Sequence, residues 1–362
     1  MKKIKVLHIS EPFAAGVYNY IREICGVLDR YNQFETYVIY SPQRNGTDMQ
    51  KIAKDFSSRT SLIQVPMSRE ISIKNDLTAI IALRKLIKEI KPDIIHLHSS
   101  KASILGRVAT YFSSKAALYY TPNGYSFLRQ DISNGKKKFF YGIEKWVARI
   151  FGGTTIACGD TEFLHAQKIG KSLLVRNGVH VNEISKSTKE TDESSNKFTI
   201  GTMGRLSPQK NPLLFDQIAK KLPSFDFVWI GDGKLKYDLK SENITVTGWK
   251  THQEALELVN TFDIYIQTSL WEGLPFTIIE SMALSKPVLA TNVVGNKDAV
   301  EHNYNGYLGE TAEQFIGFIE NLHSNPEQLE QFGKNSLIRA HELFDKDKNI
   351  ETYIEIYSKS VS

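Results

Sequence analysis

Residues 263–294 read DIYIQTSLWEGLPFTIIESMALSKPVLATNVV, in which a strand, an acidic loop, a helix and a second strand follow one another. The apolar run at 263–267 contains β-branched and aromatic side chains, which predicts a strand. The loop after it carries Glu272, and the next helix carries Glu280. In an open α/β sheet, both carboxylates then lie at the carboxyl end of the strands, where ligands bind.

Glu280 has a second interpretation, because Thr277 followed by a glutamate three residues later fits a helix capping box. The Glu280 carboxylate would then bond the backbone at the helix start, and Glu272 would be an ordinary loop acid. This does not account for the way Gly273 and Pro275 crowd around Glu272. Ligand binding therefore stays open beside capping.

The composition bounds the class of protein. A chain of 362 residues is too long for one core, so we expect two domains. The net charge of +5 does not argue for nucleic acid and suits a polyanionic small ligand or an anionic membrane surface. Cys25 and Cys158 imply no disulfide framework and suit a reducing compartment. The basic and briefly apolar start predicts a first strand, not a signal peptide.

The first strand, at residues 4–10, leads into a small-residue turn with Gly16 and then a helix at 17–30. Such a turn lets the backbone and the helix N–H groups approach an anion, although a plain βα turn is the alternative. No G-x-G-x-x-G is present, which argues against a Rossmann-type oxidoreductase.

A strand at residues 92–98 ends in His96 and His98, whose side chains share one face of the strand. A metal pair is conceivable, but the sequence shows no third ligand, so we predict no metal site. We favour a strand-end histidine that touches the ligand cleft. The loop after the next strand carries Asn123 and Tyr125, further candidates for the cleft.

The segment at residues 136–151 has apolar residues at helical spacing with basic residues between or before them, from Lys136 to Arg149. This pattern fits a helix on an anionic membrane surface. It fits equally a helix packed on its own sheet, which we favour. The lysines at the start of the segment can still meet anionic lipid.

Residues 183–197 are rich in Ser, Thr, Lys and Glu, which predicts an exposed linker near a domain boundary. A second alternating half follows, so we predict two doubly wound α/β domains with a cleft between their strand ends. In this half, Arg205 and Lys210 share one strand-to-helix loop beside Gly204. Two cations at a helix N-terminus form a good polyphosphate site, although solvated loop cations are the alternative.

Carboxylates accept hydrogen bonds from sugar hydroxyls, so a nucleotide sugar would satisfy the cations and the carboxylates together. Glu272 to Glu280 resembles the E-x7-E motif of retaining glycosyltransferases of the GT-B fold, family 4. Gly204-Arg205-Leu206 with Lys210 resembles the diphosphate-binding loop of that family. The resemblance covers nearly the whole chain. Three segments in particular are similar to bacterial capsule, exopolysaccharide and O-antigen sugar transferases: residues 92–106, 121–127 and 270–300.

The resemblance implies a GT-B fold with two Rossmann-like domains that face each other across a cleft. Residues 1–180 would form the acceptor-binding domain, and residues 181–345 would bind the nucleotide sugar. The terminal helix at 346–362 would cross back to the first domain.

The resemblance also implies a role for each matching residue. Arg205 and Lys210 would bind the donor diphosphate and stabilise the departing nucleoside diphosphate, Glu280 would bind the ribose, and Glu272 would bind the transferred sugar. The remaining candidates are the backbone of Gly273, Leu274, Pro275 and Phe276 at the sugar, Gly16 and Gly204 at the phosphates, Trp249 near the base, and His98, Asn123 and Tyr125 on the acceptor side.

One residue departs from the family. Many relatives carry a histidine in the loop at 121–124, where this chain has Asn123. An amide cannot act as an acid or base near neutral pH, so a positioning role is left. The departure also supports the alternative of a non-catalytic sugar-nucleotide-binding protein. An epimerase of the same fold is another alternative.

The resemblance implies hexosyl or N-acetylhexosaminyl transfer with retention, from a UDP-linked amino or deoxy amino sugar to a saccharide on polyprenyl diphosphate. No strand-end D-x-D is present, so we expect no metal or other cofactor. We also expect no nucleic acid partner. The predicted location is cytoplasmic, peripheral at the inner face of a bacterial cytoplasmic membrane.

Overall fold

Two separate parallel β-sheets form the framework of the chain. A computed structural model describes residues 3–43, 49–68, 70, 72–111, 113–129, 132–187 and 197–361. The chain divides into an N-terminal unit (Met1–Leu128, Ile132–Val175 and Lys348–Ser362) and a C-terminal unit (Arg129–Asp131 and Arg176–Asp347). No helix among the described residues is long and apolar enough to span a membrane.

The sheet of the N-terminal unit has seven parallel strands in the order β3-β2-β1-β4-β5-β6-β7. Its strands are β1 (Ile4–Ser10), β2 (Phe34–Tyr40), β3 (Thr60–Gln64), β4 (Ile94–His98), β5 (Ala117–Thr121), β6 (Thr154–Ala157) and β7 (Ser172–Leu174). Its helices are α1 (Ala15–Leu28), α2 (Met49–Asp55), α3 (Ile73–Ile90), α4 (Ser100–Tyr111), α5 (Asn134–Phe151) and α6 (Asp160–Ile169). The order of the strands reverses between β1 and β4, a position where open α/β sheets bind ligands.

Apolar side chains alternate along these strands, so each face of the sheet has its own core. Leu7, Leu97 and Tyr120 pack on one face with buried residues of α3 and α4. Val6 and Ile94 pack on the opposite face with α1.

The sheet of the C-terminal unit has six parallel strands in the order β10-β9-β8-β11-β12-β13. Its strands are β8 (Thr199–Met203), β9 (Asp226–Ile230), β10 (Ile244–Val246), β11 (Ile264–Gln267), β12 (Val288–Thr291) and β13 (Gly306–Gly309). Its helices are α7 (Val181–Ser187), α8 (Pro212–Lys221), α9 (His252–Asn260), α10 (Phe276–Ala283), α11 (Asn296–Ala299), α12 (Ala312–Ser324) and α13 (Pro326–Leu343). The strand order reverses between β8 and β11, so the loops after these two strands are the expected ligand loops.

The last helix, α14 (Lys346–Lys359), packs on the N-terminal unit. Tyr353 and Tyr357 are buried in the same core as Val6 and Tyr20. The two parallel sheets and the return of the last helix confirm the predicted fold class.

One element differs from the sequence analysis. Residues 183–187, predicted to belong to an exposed linker, lie in α7, where Ile184 is buried. Polar composition hid this helix, because Ile184 is the one apolar residue within 183–187, and the other buried apolar residue of α7, Val181, precedes that segment. The rest of the predicted linker falls largely on residues 188–196, which lie outside the described residues.

Candidate functional site

The loop after β8 carries the two predicted phosphate-binding cations. Gly204 adopts φ +155°, and its carbonyl accepts a hydrogen bond of 2.8 Å from Trp229 Nε1, which fixes the turn. Arg205 is exposed and has no ion pair or hydrogen bond from its side chain to another described residue. Lys210 closes a single 3-10 turn and is mostly shielded from solvent. The loop therefore offers one free guanidinium and one anchored ammonium.

Glu272 is the centre of the densest polar contacts in this site. Its Oε1 accepts from Lys210 Nζ at 2.7 Å, Ser269 Oγ at 2.7 Å and Gln267 Nε2 at 3.2 Å. Its Oε2 accepts from Gln209 Nε2 at 3.2 Å. Hydrogen bonds to an ionised carboxylate are stronger than neutral ones, so these donors hold the carboxylate in one orientation. The structure thus brings together Lys210 and Glu272, two of the three predicted catalytic residues.

Buried side chains at the end of β11 orient the groups that donate hydrogen bonds to Glu272. Gln267 and Ser269 are buried at the end of β11, and Gln267 Nε2 donates to Ser269 Oγ at 2.9 Å. Burial raises the pKa of Tyr265 to about 12, so its hydroxyl stays protonated and donates to Gln267 Oε1 at 3.1 Å. This bond turns the amide NH₂ of Gln267 toward Glu272.

The loop at residues 271–275 rests on the backbone that follows β12. Glu272 N donates to Val294 O at 3.1 Å. Gly295 has φ +84°, and a Cβ there would lie 2.6 Å from Gly273 O and 2.8 Å from Glu272 Cβ. Only glycine fits such a close approach of two backbones.

The residues between the two carboxylates connect the loop to α10. Leu274 is buried, and its carbonyl accepts from Asn177 Nδ2 at 3.0 Å. Pro275 is the N-cap of α10, and Phe276 is its first residue. Backbone N–H groups of the first helical turn lack partners within the helix, so this end of α10 suits a polar ligand.

The capping box predicted for Thr277 and Glu280 is wrong. The N-cap of α10 is Pro275, which has no side-chain cap, so Glu280 lies beyond the capping position. Glu280 Oε1 instead accepts from His252 Nε2, at the start of α9, at 2.8 Å. The Glu280 side chain is 12% exposed and that of His252 is 66% exposed. The carboxylate therefore belongs to a tertiary contact between α10 and α9, and its role in ligand binding stays a prediction.

Trp249, the predicted contact for the base, directly follows Gly248 at the end of β10 and is 64% exposed. Its ring has no aromatic or cation partner among the described residues. Its exposure leaves the ring open to stack on a planar ligand.

Gly16, in the N-terminal unit, lies in the first turn of α1, directly after the β1 turn. A Cβ at Gly16 would have no heavy atom within 4 Å, so the helix start is open on that side. The turn therefore lies where the sequence analysis places it, and anion binding at Gly16 stays a prediction.

The loop after β5 donates a backbone hydrogen bond to the buried carboxylate of Glu162. Glu162 Oε1 accepts from Gly124 N, and its Oε2 accepts from Cys158 N, both at 2.8 Å. Asn123 precedes Gly124 and has φ +52°, a left-handed conformation that asparagine tolerates. Asn123 is half-buried and stays an acceptor-side candidate.

Two acceptor-side candidates need correction. Tyr125 is buried and stacks on Phe127 with ring centroids 4.6 Å apart, so it belongs to the core. His98 is fully buried, and its Nε2 shares a hydrogen bond of 3.0 Å with His8 Nδ1. Neither side chain is open to solvent: His98 ends β4 in contact with His8, and Tyr125, in the loop after β5, packs into the core with Phe127.

The comparison with known families covers nearly all of the chain. Residues 14–183 match the family described as "Glycosyltransferase Family 4", and residues 183–339 match "Glycosyl transferases group 1". The chain belongs to the GT-B glycosyltransferases.

This glycosyltransferase is 27% identical to an Escherichia coli protein named UDP-Gal:alpha-D-GlcNAc-diphosphoundecaprenol alpha-1,3-galactosyltransferase, over 98% of this chain and 97% of the relative. It is 24% identical to the capsular polysaccharide biosynthesis glycosyltransferase CapM of Staphylococcus aureus, over 77% of this chain and 80% of CapM.

Solved structures share the fold of this glycosyltransferase at low identity. Anabaena HepE, in complex with UDP and glucose, has a TM-score of 0.76 and 18% identity over 98% of this chain and all of HepE. Sucrose-phosphate synthase from Thermosynechococcus elongatus has a TM-score of 0.81 and 14% identity over 99% of each chain.

The N-terminal unit of the glycosyltransferase also contains a buried histidine cluster. His8 on β1 is the neighbour of His96 on β4, and these two residues form a potential three-nitrogen group with His98. His96 Nδ1 bonds Tyr357 Oη at 2.6 Å, and its Nε2 bonds Thr121 Oγ1 at 2.8 Å. Both ring nitrogens of His96 are thus engaged in hydrogen bonds. The sequence analysis missed His8, because the pairing of β1 with β4 brings it beside His96, and no sequence spacing links the two residues.

The sequence analysis also missed the residues that hold the two carboxylates predicted to bind a ligand. Gln209, Gln267 and Ser269 hold Glu272, and His252 holds Glu280. The sequence signal for two of these residues is weak: Gln267 is the polar last residue of an apolar strand, and Ser269 follows that strand in the loop. His252 lies 28 positions before Glu280, and no local pattern links the two.

Proposed function

We propose that this glycosyltransferase moves a sugar from a UDP-linked donor, with retention, to a saccharide carried on polyprenyl diphosphate. One observation carries the proposal: Arg205, Lys210 and Glu272 lie in the two ligand loops of one unit, and Glu280 lies on the helix α10 that follows the second loop. The name of the Escherichia coli relative supports the substrate class, since it gives UDP-Gal as donor and a diphosphoundecaprenol-linked acceptor.

Each residue of the set has one role in the proposal. Arg205 and Lys210 bind the diphosphate, Glu280 binds the ribose hydroxyls, and Glu272 binds hydroxyls of the transferred sugar. The contact of 2.7 Å between Lys210 Nζ and Glu272 Oε1 supports this division, because adjacent parts of one donor then meet adjacent side chains. The backbone of Gly273 to Phe276 lies between the two carboxylates in sequence and completes the sugar site.

The reaction needs no nucleophile from the protein. The bond between the anomeric carbon and the β-phosphate oxygen breaks as the acceptor hydroxyl attacks the same face of the sugar. The hydroxyl proton passes to an oxygen of the departing phosphate, and UDP leaves. Catalysis then comes from alignment and from stabilisation of negative charge on UDP by Arg205 and Lys210.

The cation roles are tested by substitution. We expect Arg205→Ala and Lys210→Ala each to lower turnover by ~10²–10³, the usual loss for a group that stabilises developing charge. Lys220→Ala, which removes an exposed lysine at the end of α8, is the control and should keep wild-type turnover. Wild-type turnover in both loop variants would refute the phosphate assignment.

The substrate class is tested with a donor panel. UDP-galactose, UDP-N-acetylgalactosamine, UDP-N-acetylglucosamine and a UDP-linked deoxy amino sugar are each mixed with a polyprenyl-diphosphate-linked N-acetylglucosamine. We expect UDP release with at least one donor, and only when acceptor is present. An altered nucleotide sugar formed without acceptor would identify an epimerase, and donor binding without turnover would identify a binding protein.

We propose that transfer is independent of divalent metal, because the ligand loops offer cations for the diphosphate and no D-x-D. Turnover should then persist in excess EDTA. Loss in EDTA with recovery on Mn²⁺ or Mg²⁺ would contradict this.

We propose a peripheral location at the inner face of the cytoplasmic membrane, where a lipid-linked acceptor would be met. The helix α5 supports this, since Phe139 and Trp146 are 60% and 61% exposed among basic residues from Lys136 to Arg149. A neighbouring face of α5, about 100° round the helix from Trp146, packs on its own unit through the buried Val147. Packing and membrane contact therefore use different faces of one helix.

A further inference from the structure

The helix α3 carries an apolar stripe on its outer side. Ile73, Leu77 and Ile81 are 87%, 56% and 62% exposed. Their spacing of four residues places them on one face of the helix, about 12 Å from end to end. The opposite face of α3 already buries Ala79, Leu83, Ile87 and Ile90, so the stripe is not required for the core.

The charges around this stripe are mainly positive. Lys74, Arg84 and Lys88 are exposed on α3. Asp76, one of the two acids of the helix, is neutralised by Lys101 Nζ at 2.6 Å. The other acid, Glu89, lies 3.9 Å from Lys85 Nζ. An apolar stripe among basic side chains matches an anionic lipid surface, whose acyl region accepts the apolar groups and whose headgroups accept the charges.

A second copy of the chain is a poorer occupant, because it would present the same basic surface to this one. Its net charge of +5 adds repulsion. The charge therefore favours lipid over self-association.

The stripe also lies at the correct end of the sheet. The helix α3 follows β3, so its first turns, with Ile73 and Leu77, adjoin the carboxyl edge of the parallel strands. Lys101, in the first turn of α4 and directly after β4, donates to Glu70 O at 3.0 Å and so ties the start of α3 to that edge. A sugar presented at this edge on a polyprenyl anchor needs the bilayer beside it.

We infer that the face of α3 formed by Ile73, Leu77 and Ile81 inserts into an anionic membrane and sets the acceptor-binding edge of the N-terminal unit against the bilayer. The inference rests on the proposed lipid-linked acceptor for its purpose, but vesicle binding itself is measured without turnover. This surface is separate from that of α5, since α4 contacts both helices and lies between them.

The test is partition of the full chain onto vesicles of phosphatidylcholine with phosphatidylglycerol, measured by co-sedimentation. The variant carries I73Q, L77Q and I81Q together, because glutamine keeps helix propensity and removes the apolar surface. We expect partition to fall by about tenfold or more, with thermal unfolding unchanged because these side chains are exposed. The control L213Q changes an exposed leucine on α8 of the other unit and should bind vesicles as wild type does.

Wild-type partition by the triple variant would overturn the inference. Sedimentation velocity in the absence of lipid supplies a second readout. A wild-type chain that is dimeric, with a triple variant that is monomeric, would assign the stripe to contact with a second copy and would also overturn the inference. A water-soluble short-chain acceptor separates this inference from the proposed function. The triple variant should use it at the wild-type rate and lose turnover only with acceptor embedded in vesicles.

Discussion

His252 is the single described side chain that bonds the Glu280 carboxylate. It is the first residue of α9, directly after the N-cap Thr251, which forms a capping box with Glu254. The start of α9 is therefore fixed by its own backbone contacts. His252 can orient Glu280 without support from a ligand, so we expect it to act as a positioning residue for the ribose contact proposed for Glu280.

We expect His252→Ala to raise the donor KM by about tenfold, because a hydrogen bond to a charged group contributes about 1.5–3 kcal/mol. The value of kcat should change by less than about twofold, since the ribose is remote from the reacting carbon and binds equally in ground and transition states. Steady-state kinetics over a range of donor concentrations measure both constants. Gln253→Ala is the control, because Gln253 Nε2 bonds Glu257 and not Glu280. A fall in kcat at unchanged KM would contradict the positioning role.

The position of the loop between β11 and α10 depends on the turn after β12, which packs against it. The loop carries Glu272 and Gly273, and Gly295 contacts both from behind. We expect Gly295→Ala to push this loop away and to lower turnover by about tenfold or more, because small misplacements of a binding group have large rate effects. The same substitution is strained at φ +84° and should lower the midpoint of thermal unfolding.

Gly317→Ala is the matched control for this element. Gly317 lies on the exposed side of α12, and a Cβ there would meet no atom within 4 Å. Alanine should raise stability by up to about 1 kcal/mol and leave turnover unchanged. Equal turnover in the two variants would show that the loop does not need its support at Gly295.

The local sequence pattern predicted the strands and helices around the site, but it did not predict the tertiary contacts between them. The apolar run of β11 and the positions of Glu272 and Glu280 after it are visible in sequence, because each depends on neighbours along the chain. The predicted start of α10 was too late in the chain, because T-x-x-E has the form of a capping box even inside a helix. The N-cap is Pro275 and not Thr277. The contact with His252 and the bonds from Gln267 and Ser269 depend on packing between distant segments. Roles taken from the family motif, such as that of Arg205, stay predictions.

The N-terminal unit joins the two ends of the chain through buried polar groups. His8 lies on the first strand, and Tyr357 of the last helix bonds His96 beside it. Tyr20 and Tyr353 also bond each other through their hydroxyls. Burial lowers the pKa of His8 to about 3 and holds those of His96 and His98 well below the ordinary value. All three rings are therefore neutral in the folded protein at neutral pH.

This cluster predicts that the N-terminal unit loses stability in mild acid. The unfolded chain binds a proton at each histidine as pH falls below about 6.5, whereas folded His8 binds its proton only near pH 3. The contribution of neutral His8 to the free energy of unfolding is therefore fully present above pH 6.5 and is lost progressively as the pH falls toward 3. His8 alone should reduce the free energy of unfolding by about 2 kcal/mol at pH 5. Hydrogen exchange of the β1 and β4 amides at pH 7.5 and pH 5, corrected for the intrinsic exchange rate, measures this loss within the unit.

His8→Gln isolates the effect, because an amide does not titrate in this range. Whatever stability the variant has at pH 7.5, its difference between pH 7.5 and pH 5 should be smaller than that of the wild type by about 2 kcal/mol. His323→Gln, which changes an exposed histidine on α12 of the other unit, should leave the acid loss in β1 and β4 unchanged. The neighbouring tyrosines do not titrate in this range, since burial raises the pKa of Tyr20, Tyr353 and Tyr357. An equal acid loss in wild type and His8→Gln would therefore place the titrating groups outside this part of the cluster.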